Sequence, residues 1–275
     1  MKLNCILTSC NNNPLYMDFI PIFVRTWKKL YPTVDVKIIL INSTIPDKYK
    51  SYKKNIILFP EIPNVDTAFT SQYIRLLYPA ILLHTGGILI TDIDMLPMNN
   101  TYFSKNIKKY NDDKFIYLRD VLVNTDKQIA VCYNVATPKT WSSIFNINSI
   151  EDIKLRLVER YKTIVDGWFT DQADLYTKVN EWNNITNGFI ILKDKDTKFK
   201  RLDRGDMSSG TMNTDIKNGL YTDYHCLRPY DDYMMENEKI YNLLGNKNMV
   251  KFVIYLVIAV LLFGLLNKLK SLKFN

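Results

Sequence analysis

Over roughly the first 95 residues, short apolar runs alternate with stretches of helical periodicity, and this alternation constrains the fold more than any other feature of the chain. "LNCILTS" at the start reads as a strand, and the polar "CNNNP" follows it. Tyr16, Phe19, Phe23, Trp27 and Leu30 then recur at the spacing of one helix face. "VKIILI" (36–41) is a second strand, apolar enough to be buried on both faces, and "NIILF" (55–59) is a third. A helix over "SQYIRLLYPAILL" comes next, capped by Thr67 or Thr70, with Pro79 kinking it or opening a new turn. Gly86-Gly87 breaks that helix and permits a sharp turn into Ile88-Leu89-Ile90. Strand–helix–strand units of this kind build a mainly parallel sheet with helices on its faces, an α/β fold.

Beyond residue 95 the pattern loosens. "KFIYL", "IAVCYNVA" and "NGFIIL" (187–192) read as strands. "SIEDIKLRLVERYK" is an amphipathic helix with Ile150, Ile153, Leu157 and Tyr161 on one face, and "TDQADLYTKVNEW" is a second helix. Residues 194–235 are polar and turn-rich. With no internal repeat, the chain divides most simply into one catalytic domain (1–240), a linker (241–248), an apolar segment (249–267) and a basic tail (268–275).

The apolar segment contains "FVIYLVIAVLLFGLL" (252–266), free of charge and flanked by Lys251, Lys268, Lys270 and Lys273. With its flanks and snorkelling lysine stems it is long enough to be a single-pass membrane anchor. The N-terminus has too short an apolar run for a secretory signal, so the expected arrangement leaves the catalytic domain facing the cytoplasm. Net charge is +8, but residues 247–275 carry five Lys and no acid. The rest of the chain is therefore only weakly basic, which argues against a nucleic-acid partner. Cys5, Cys10, Cys132 and Cys226 have neither zinc-site nor disulfide-framework spacing, so they read as free thiols.

The fourth strand runs out into Asp92-Ile93-Asp94. In open α/β sheets ligands bind beyond the carboxyl ends of strands. Along an extended chain residues i and i+2 point to one side, so both carboxylates face one site. Two such charges repel unless a cation sits with them, and oxygen ligands select Mg²⁺ or Mn²⁺. Such an ion keeps positions open for phosphate oxygens. The pair therefore suits a metal that holds a diphosphate.

The order Ser71-Gln72, Arg75, Leu76, Tyr78, Gly86-Gly87, strand, Asp92-x-Asp94 resembles the D-x-D region of glycosyltransferases with the GT-A fold, as in bacterial polysaccharide and large-DNA-virus sugar transferases. The resemblance is close over residues 67–98 and looser elsewhere, and departs at Gln72, where the family often has Asp. It implies a GT-A-like, Rossmann-type sheet and a nucleotide-diphospho-sugar donor with a glycan or glycoconjugate acceptor. Asp94 would lie on a Mn²⁺ or Mg²⁺ ion. Asp92 would lie on the same ion, on it through water, or on the donor ribose, with Arg75 supporting the site. The loop Thr8, Ser9, Cys10, Asn11 would border the nucleoside, and His225 in "YTDYHCLRPY" would be a third metal ligand. Asp171-Gln172 would lie beside the acceptor, with Asp171 or Asp174 as the general base of an inverting transfer. Asn187 would touch the sugar, and Arg204 in "RLDRGD" the diphosphate.

Two other readings compete. Haloacid-dehalogenase phosphohydrolases also carry D-x-D after a strand, though usually the first strand of the fold. A membrane-tethered carbohydrate-binding module could keep the fold without catalysis. Thr170 or Asp171 as a helix N-cap, and His225 as a structural histidine, are the corresponding local alternatives.

Overall fold

The computed structural model describes residues 1–163, 167–206 and 210–245. Strands β1 (Leu3–Asn11), β2 (Asp35–Ile41), β3 (Ile56–Phe59) and β4 (Gly87–Ile90) are the apolar runs of the first ~95 residues. They pair in parallel, β3-β2-β1-β4, with Cys5 to Asn11 of β1 in register with Asp35 to Ile41 of β2. Helices Ile20–Leu30 and Thr67–Leu77 return the chain from the carboxyl edge of the sheet to its amino edge. Each buries an apolar face: Ile20, Phe23, Val24 and Trp27 from the first, Phe69, Tyr73, Ile74 and Leu77 from the second.

The expected cap at Thr67 or Thr70 is replaced by Asp66, whose carboxylate accepts from the backbone N–H groups of Ala68 and Phe69. Asp in extended backbone suits this position better than a threonine already inside the first turn. Pro79 opens a separate 3-10 turn, Tyr78–Ile81. Gly86 and Gly87 are needed for close approach as well as for the turn. A Cβ on Gly86 would lie 2.5 Å from the Lys2 carbonyl oxygen, and one on Gly87 would lie 2.7 Å from Val135 Cγ1.

Strands β6 (Phe115–Tyr117), β7 (Asn134–Ala136) and β8 (Phe189–Ile191) complete a seven-stranded sheet ordered β3-β2-β1-β4-β7-β6-β8. β7 is antiparallel to both neighbours, whereas β8 runs parallel to β6. Only the second half of "IAVCYNVA" is strand, because Val131–Tyr133 form a 3-10 turn. Ser149 and Asp152 form a capping box on helix Ile150–Lys162. The next helix, Thr170–Thr186, has Phe169 in the cap position, so neither Thr170 nor Asp171 is its N-cap.

A second, three-stranded sheet takes two of its strands from the region read as turns. β5 (Met95–Pro97) pairs antiparallel with β10 (Asp223–His225), and β10 pairs in parallel with β9 (Arg201–Leu202). Its strands are two or three residues long, too short to show a period of two. The domain boundary expected at residue 240 falls inside helix Met234–Leu243, and Leu244 is buried behind it. The segments 249–267 and 268–275 lie outside the described residues. Among the described residues no helix is long and apolar enough to cross a membrane.

Candidate active site

A cleft opens at the carboxyl edge of β1 and β4, where the two sheets meet. It holds about 1070 Å³ of empty space including its open mouth, and its lining includes Ser9, Cys10, Asn11, Arg75, Asp92, Asp94, Asp171 and His225. The topology explains the convergence. β4 ends at Ile90, and Met95 N–H donates to the Asp92 carbonyl at 3.2 Å, closing a turn that carries the chain into β5. Asp92 and Asp94 therefore share the cleft because the backbone turns there, and not because an extended strand alternates. Antiparallel pairing of β5 with β10 sets His225 opposite Met95, and Cys226 N–H donates to the Asp94 carbonyl at 2.9 Å. That register delivers a histidine from more than a hundred residues away to the side of Asp94.

Each carboxylate of the pair has its own partners. Asp92 forms a hydrogen-bonded ion pair with Arg75, which also donates to the Thr91 carbonyl at 3.2 Å. Asp94 is buried. Arg204 Nη2 lies 3.0 Å from its Oδ2, with Arg228 Nη1 and His225 Nε2 each at 3.6 Å. Burial alone would raise the Asp94 carboxyl, but the hydrogen bond and charge of His225, with Arg204 and Arg228, outweigh it and hold the group below its usual range. His225 Nδ1 lies 3.0 Å from Asp203 Oδ1. In the protonated ring both nitrogens donate, Nδ1 to Asp203 and Nε2 toward Asp94; in the neutral ring a proton kept on Nδ1 by Asp203 would free the Nε2 lone pair for a metal.

Across the cleft Asp171 is almost fully buried. Arg75 Nη2 is 3.5 Å from its Oδ2 and Gln72 Nε2 is 3.3 Å from its Oδ1. Burial pushes the Asp171 carboxyl up to about 7, with Arg75 opposing and Asp92 reinforcing the rise. Arg75 is thus a buried guanidinium bridging two carboxylates. Burial works against its charge, and Asp92 and Asp171 more than compensate.

Three expected site residues lie elsewhere. Asp174 is turned away from the cleft, into hydrogen bonds with Tyr73 OH at 2.6 Å and with Arg160. Asn187 is the exposed left-handed residue that ends helix Thr170–Thr186. It precedes β8 and so sits at the amino edge of the sheet, the end remote from the cleft. Thr8 is wholly buried in β1 and does not line the cleft. Arg204 is not part of the lining itself but reaches Asp94 and His225 from β9's end. The residues expected as a loop are the last of β1 instead, where pairing with β2 continues to Asn11; there Ser9 donates to the Ser71 carbonyl and Asn11 Nδ2 to Thr67 Oγ1 at 3.1 Å.

Gln172 lines the cleft beside Asp171, and the structure adds Tyr16, Trp168 and Arg228 to the lining. Arg228 donates to Tyr16 OH at 3.0 Å. Its position three residues after His225 was the available signal, since a short strand followed by a loop keeps such neighbours at one sheet end.

The donor set fits a hard divalent ion. It offers an ionised, buried carboxylate, an imidazole whose Nε2 accepts when the ring is neutral, and a second carboxylate on the same turn. As the side chains stand, no three His, Cys, Asp or Glu groups among the described residues are gathered closely enough to hold a metal. Asp92 is engaged by Arg75, and Arg204 lies against both Asp94 and His225.

No protein-family description matches the chain, and neither does any curated protein sequence. Solved structures do match. The galactosyltransferase LgtC, determined in complex with donor and acceptor sugar analogs, is 13% identical over 88% of this chain and 96% of its own, with a TM-score of 0.50. GlyE, a glycosyltransferase of Streptococcus pneumoniae TIGR4, is 13% identical over 83% of this chain and 55% of its own, with a TM-score of 0.47. Mouse xyloside xylosyltransferase 1 is 8% identical over 82% and 98%, with a TM-score of 0.43. The likeness to LgtC extends over nearly the whole of both chains, and the fold is that of a GT-A glycosyltransferase.

Proposed function

We propose that the chain is a metal-dependent glycosyltransferase that moves a sugar from a nucleotide-diphospho-sugar to a hydroxyl of a glycan or glycoconjugate. One observation carries the reading: Asp92, Asp94 and His225 meet in a cleft at the carboxyl edge of the sheet, with Arg204 and Arg228 beside them. Asp94 and His225, with Asp92, would hold Mn²⁺ or Mg²⁺. Bound there, the ion would act as a Lewis acid on the leaving diphosphate.

The protein's own groups supply the rest. Arg228 and Arg204 present guanidinium forks to the diphosphate, a geometry suited to bidentate phosphate contacts. Asp203 holds the His225 ring in one tautomer. Ser9 and Asn11 offer hydroxyl and amide groups to the nucleoside from the carboxyl end of β1. Asp171, once ionised, accepts the acceptor hydroxyl's proton if transfer inverts the anomeric centre, and Arg75 and Gln72 fix its orientation. The apolar segment 249–267 would tether the domain to a membrane, with the domain on the cytoplasmic side.

The phosphohydrolase alternative finds no support, because Asp92 follows β4 rather than the first strand. A screen of nucleotide sugars by thermal shift, with and without Mn²⁺, tests the proposal: a true donor raises the melting temperature only when the metal is present. Slow release of nucleoside diphosphate from that donor separates the enzyme from a binding module. A donor that stabilises equally without metal overturns the metal assignment.

A further inference from the structure

The edge of the large sheet opposite the cleft is lined with lysines. Lys2 precedes β1. Lys28 and Lys29 end the helix that leads to β2, and Lys37 lies near that strand's start. Lys53 and Lys54 precede β3, Lys108, Lys109 and Lys114 precede β6, and Lys139 follows β7, whose reversed direction ends it at this same edge. Most are exposed, and the rest are half-buried. The acids on these loops are Asp35, Asp112 and Asp113. Strands in a sheet lie about 4.8 Å apart, so the basic row spans roughly 24 Å, from β3 to β6.

Two further features sit on this edge. Leu83, in the loop before β4, is 99% exposed. Its neighbour His84 lies 3.8 Å from Asp35 at the start of β2, which places the loop among the lysines. The described chain also ends here. Lys29 Nζ donates to the Tyr241 carbonyl at 3.1 Å, and its stem lies beside Gly245. The residues that follow carry five more lysines, no acid, and the uncharged run 252–266.

We propose that this amino edge is a membrane-facing surface that lies on anionic lipid headgroups and turns the cleft away from the bilayer. Lysines near an anionic leaflet are each attracted to it, and a lone exposed leucine among them can enter the headgroup region. A nucleic acid would also meet the charge, but it accounts neither for Leu83 nor for the uncharged run that follows Gly245 in sequence. The inference is independent of the sugar-transfer reading, since none of these residues lies in the cleft.

The test uses the full chain and vesicles of phosphatidylcholine with or without phosphatidylserine. One variant carries Lys28→Gln, Lys53→Gln, Lys54→Gln and Lys108→Gln. A control of equal charge carries Lys154→Gln, Lys178→Gln, Lys195→Gln and Lys217→Gln. Binding of the parent should be tighter with phosphatidylserine and should weaken with salt. The edge variant should lose that preference, by roughly fivefold for each lysine removed, and the control should keep it. Equal loss in both variants overturns the proposal. So does an edge variant with unchanged vesicle binding but lost RNA binding. Orientation has its own readout. A fluorophore on Leu83→Cys should be quenched by lipid-borne quencher, and one on Asn12→Cys, at the opposite edge, should not. The reverse pattern, or equal quenching, also overturns it.

Discussion

At the residue scale the carboxylate pair differs from what two adjacent charges suggest. Asp92 and Asp94 do not rely on a shared cation, because each has its own guanidinium. Asp94→Asn should therefore lower apo stability, by about 1–3 kcal/mol, through loss of charge-assisted hydrogen bonds, and should also abolish transfer and metal-dependent donor binding. Near-normal turnover would sink the metal assignment. Asp203 tests the same site more gently. It touches His225 rather than the cleft, so Asp203→Ala should weaken Mn²⁺ by about 10–100-fold while metal-free nucleotide binding stays the same. A lower melting temperature with unchanged Mn²⁺ affinity would make His225 structural. Asp171 gives a pH signature. Its carboxyl is raised to about 7, so the folded state holds a proton that the unfolded chain has released. Its contribution to stability is complete below about pH 4 and is lost as pH rises to about 7, at up to about 1.4 kcal/mol per pH unit. Denaturant unfolding across that window should show a shallower fall for Asp171→Asn than for the parent. Parallel curves would mean that Asp171 is already ionised in the native state.

At the element scale, long elements with strong periods were legible and short ones were not. β1 to β4 announced themselves as apolar runs, and Gly86-Gly87 announced the turn before the carboxylates. The small sheet was invisible, because strands of two or three residues have no period and are held by partners distant in sequence. Yet that sheet brings Arg204 and His225 to Asp94. Asp92, Asp94, Arg75 and Asp171 could be placed near one sheet edge from sequence. Asn187 was misplaced because a strand's start was read without its direction, and Asp174 because helix rotation decides which of two nearby carboxylates faces the cleft. The small sheet has a support that composition could not reveal. Asn237, fully buried on helix Met234–Leu243, accepts from Tyr224 OH at 2.8 Å and donates to the Leu227 carbonyl at 3.0 Å. Asn237→Leu should leave the Tyr224 hydroxyl hydrogen and the Leu227 carbonyl without these partners, although the hydroxyl oxygen keeps the Leu227 N–H, and cost about 1–3 kcal/mol. Because Tyr224 and Leu227 flank His225 and Arg228, Mn²⁺ and donor affinity should fall as well, though no altered atom lies in the cleft. Chemical denaturation and Mn²⁺ titration of the variant check both effects, and lost stability with intact affinity would show that β10 holds its place without the helix.

At the scale of the whole molecule, cleft and chain exit lie at opposite ends of the sheet. Catalysis and attachment can then be separated by one cut. Helix Met234–Leu243 belongs to the folded body: Ile240 and Leu244 are buried, and Arg25 pairs with Glu238. A chain stopped after Gly245 keeps all of these contacts and loses only the lysine-flanked apolar run and its tail. Such a chain should melt near the temperature of the full chain and should be stabilised to the same extent by donor with Mn²⁺, because the cleft lining and the buried residues of that helix all precede Gly245. Its membrane behaviour should change in kind. Without the apolar run it should be released from neutral vesicles, yet still bind phosphatidylserine vesicles weakly through the basic edge, and salt should detach it. Flotation at low and high salt, run beside donor-dependent melting, reads both halves of the argument. Loss of donor stabilisation in the shortened chain would place part of the site after Gly245. Undiminished flotation with neutral lipid at high salt would show that the apolar run is not the attachment.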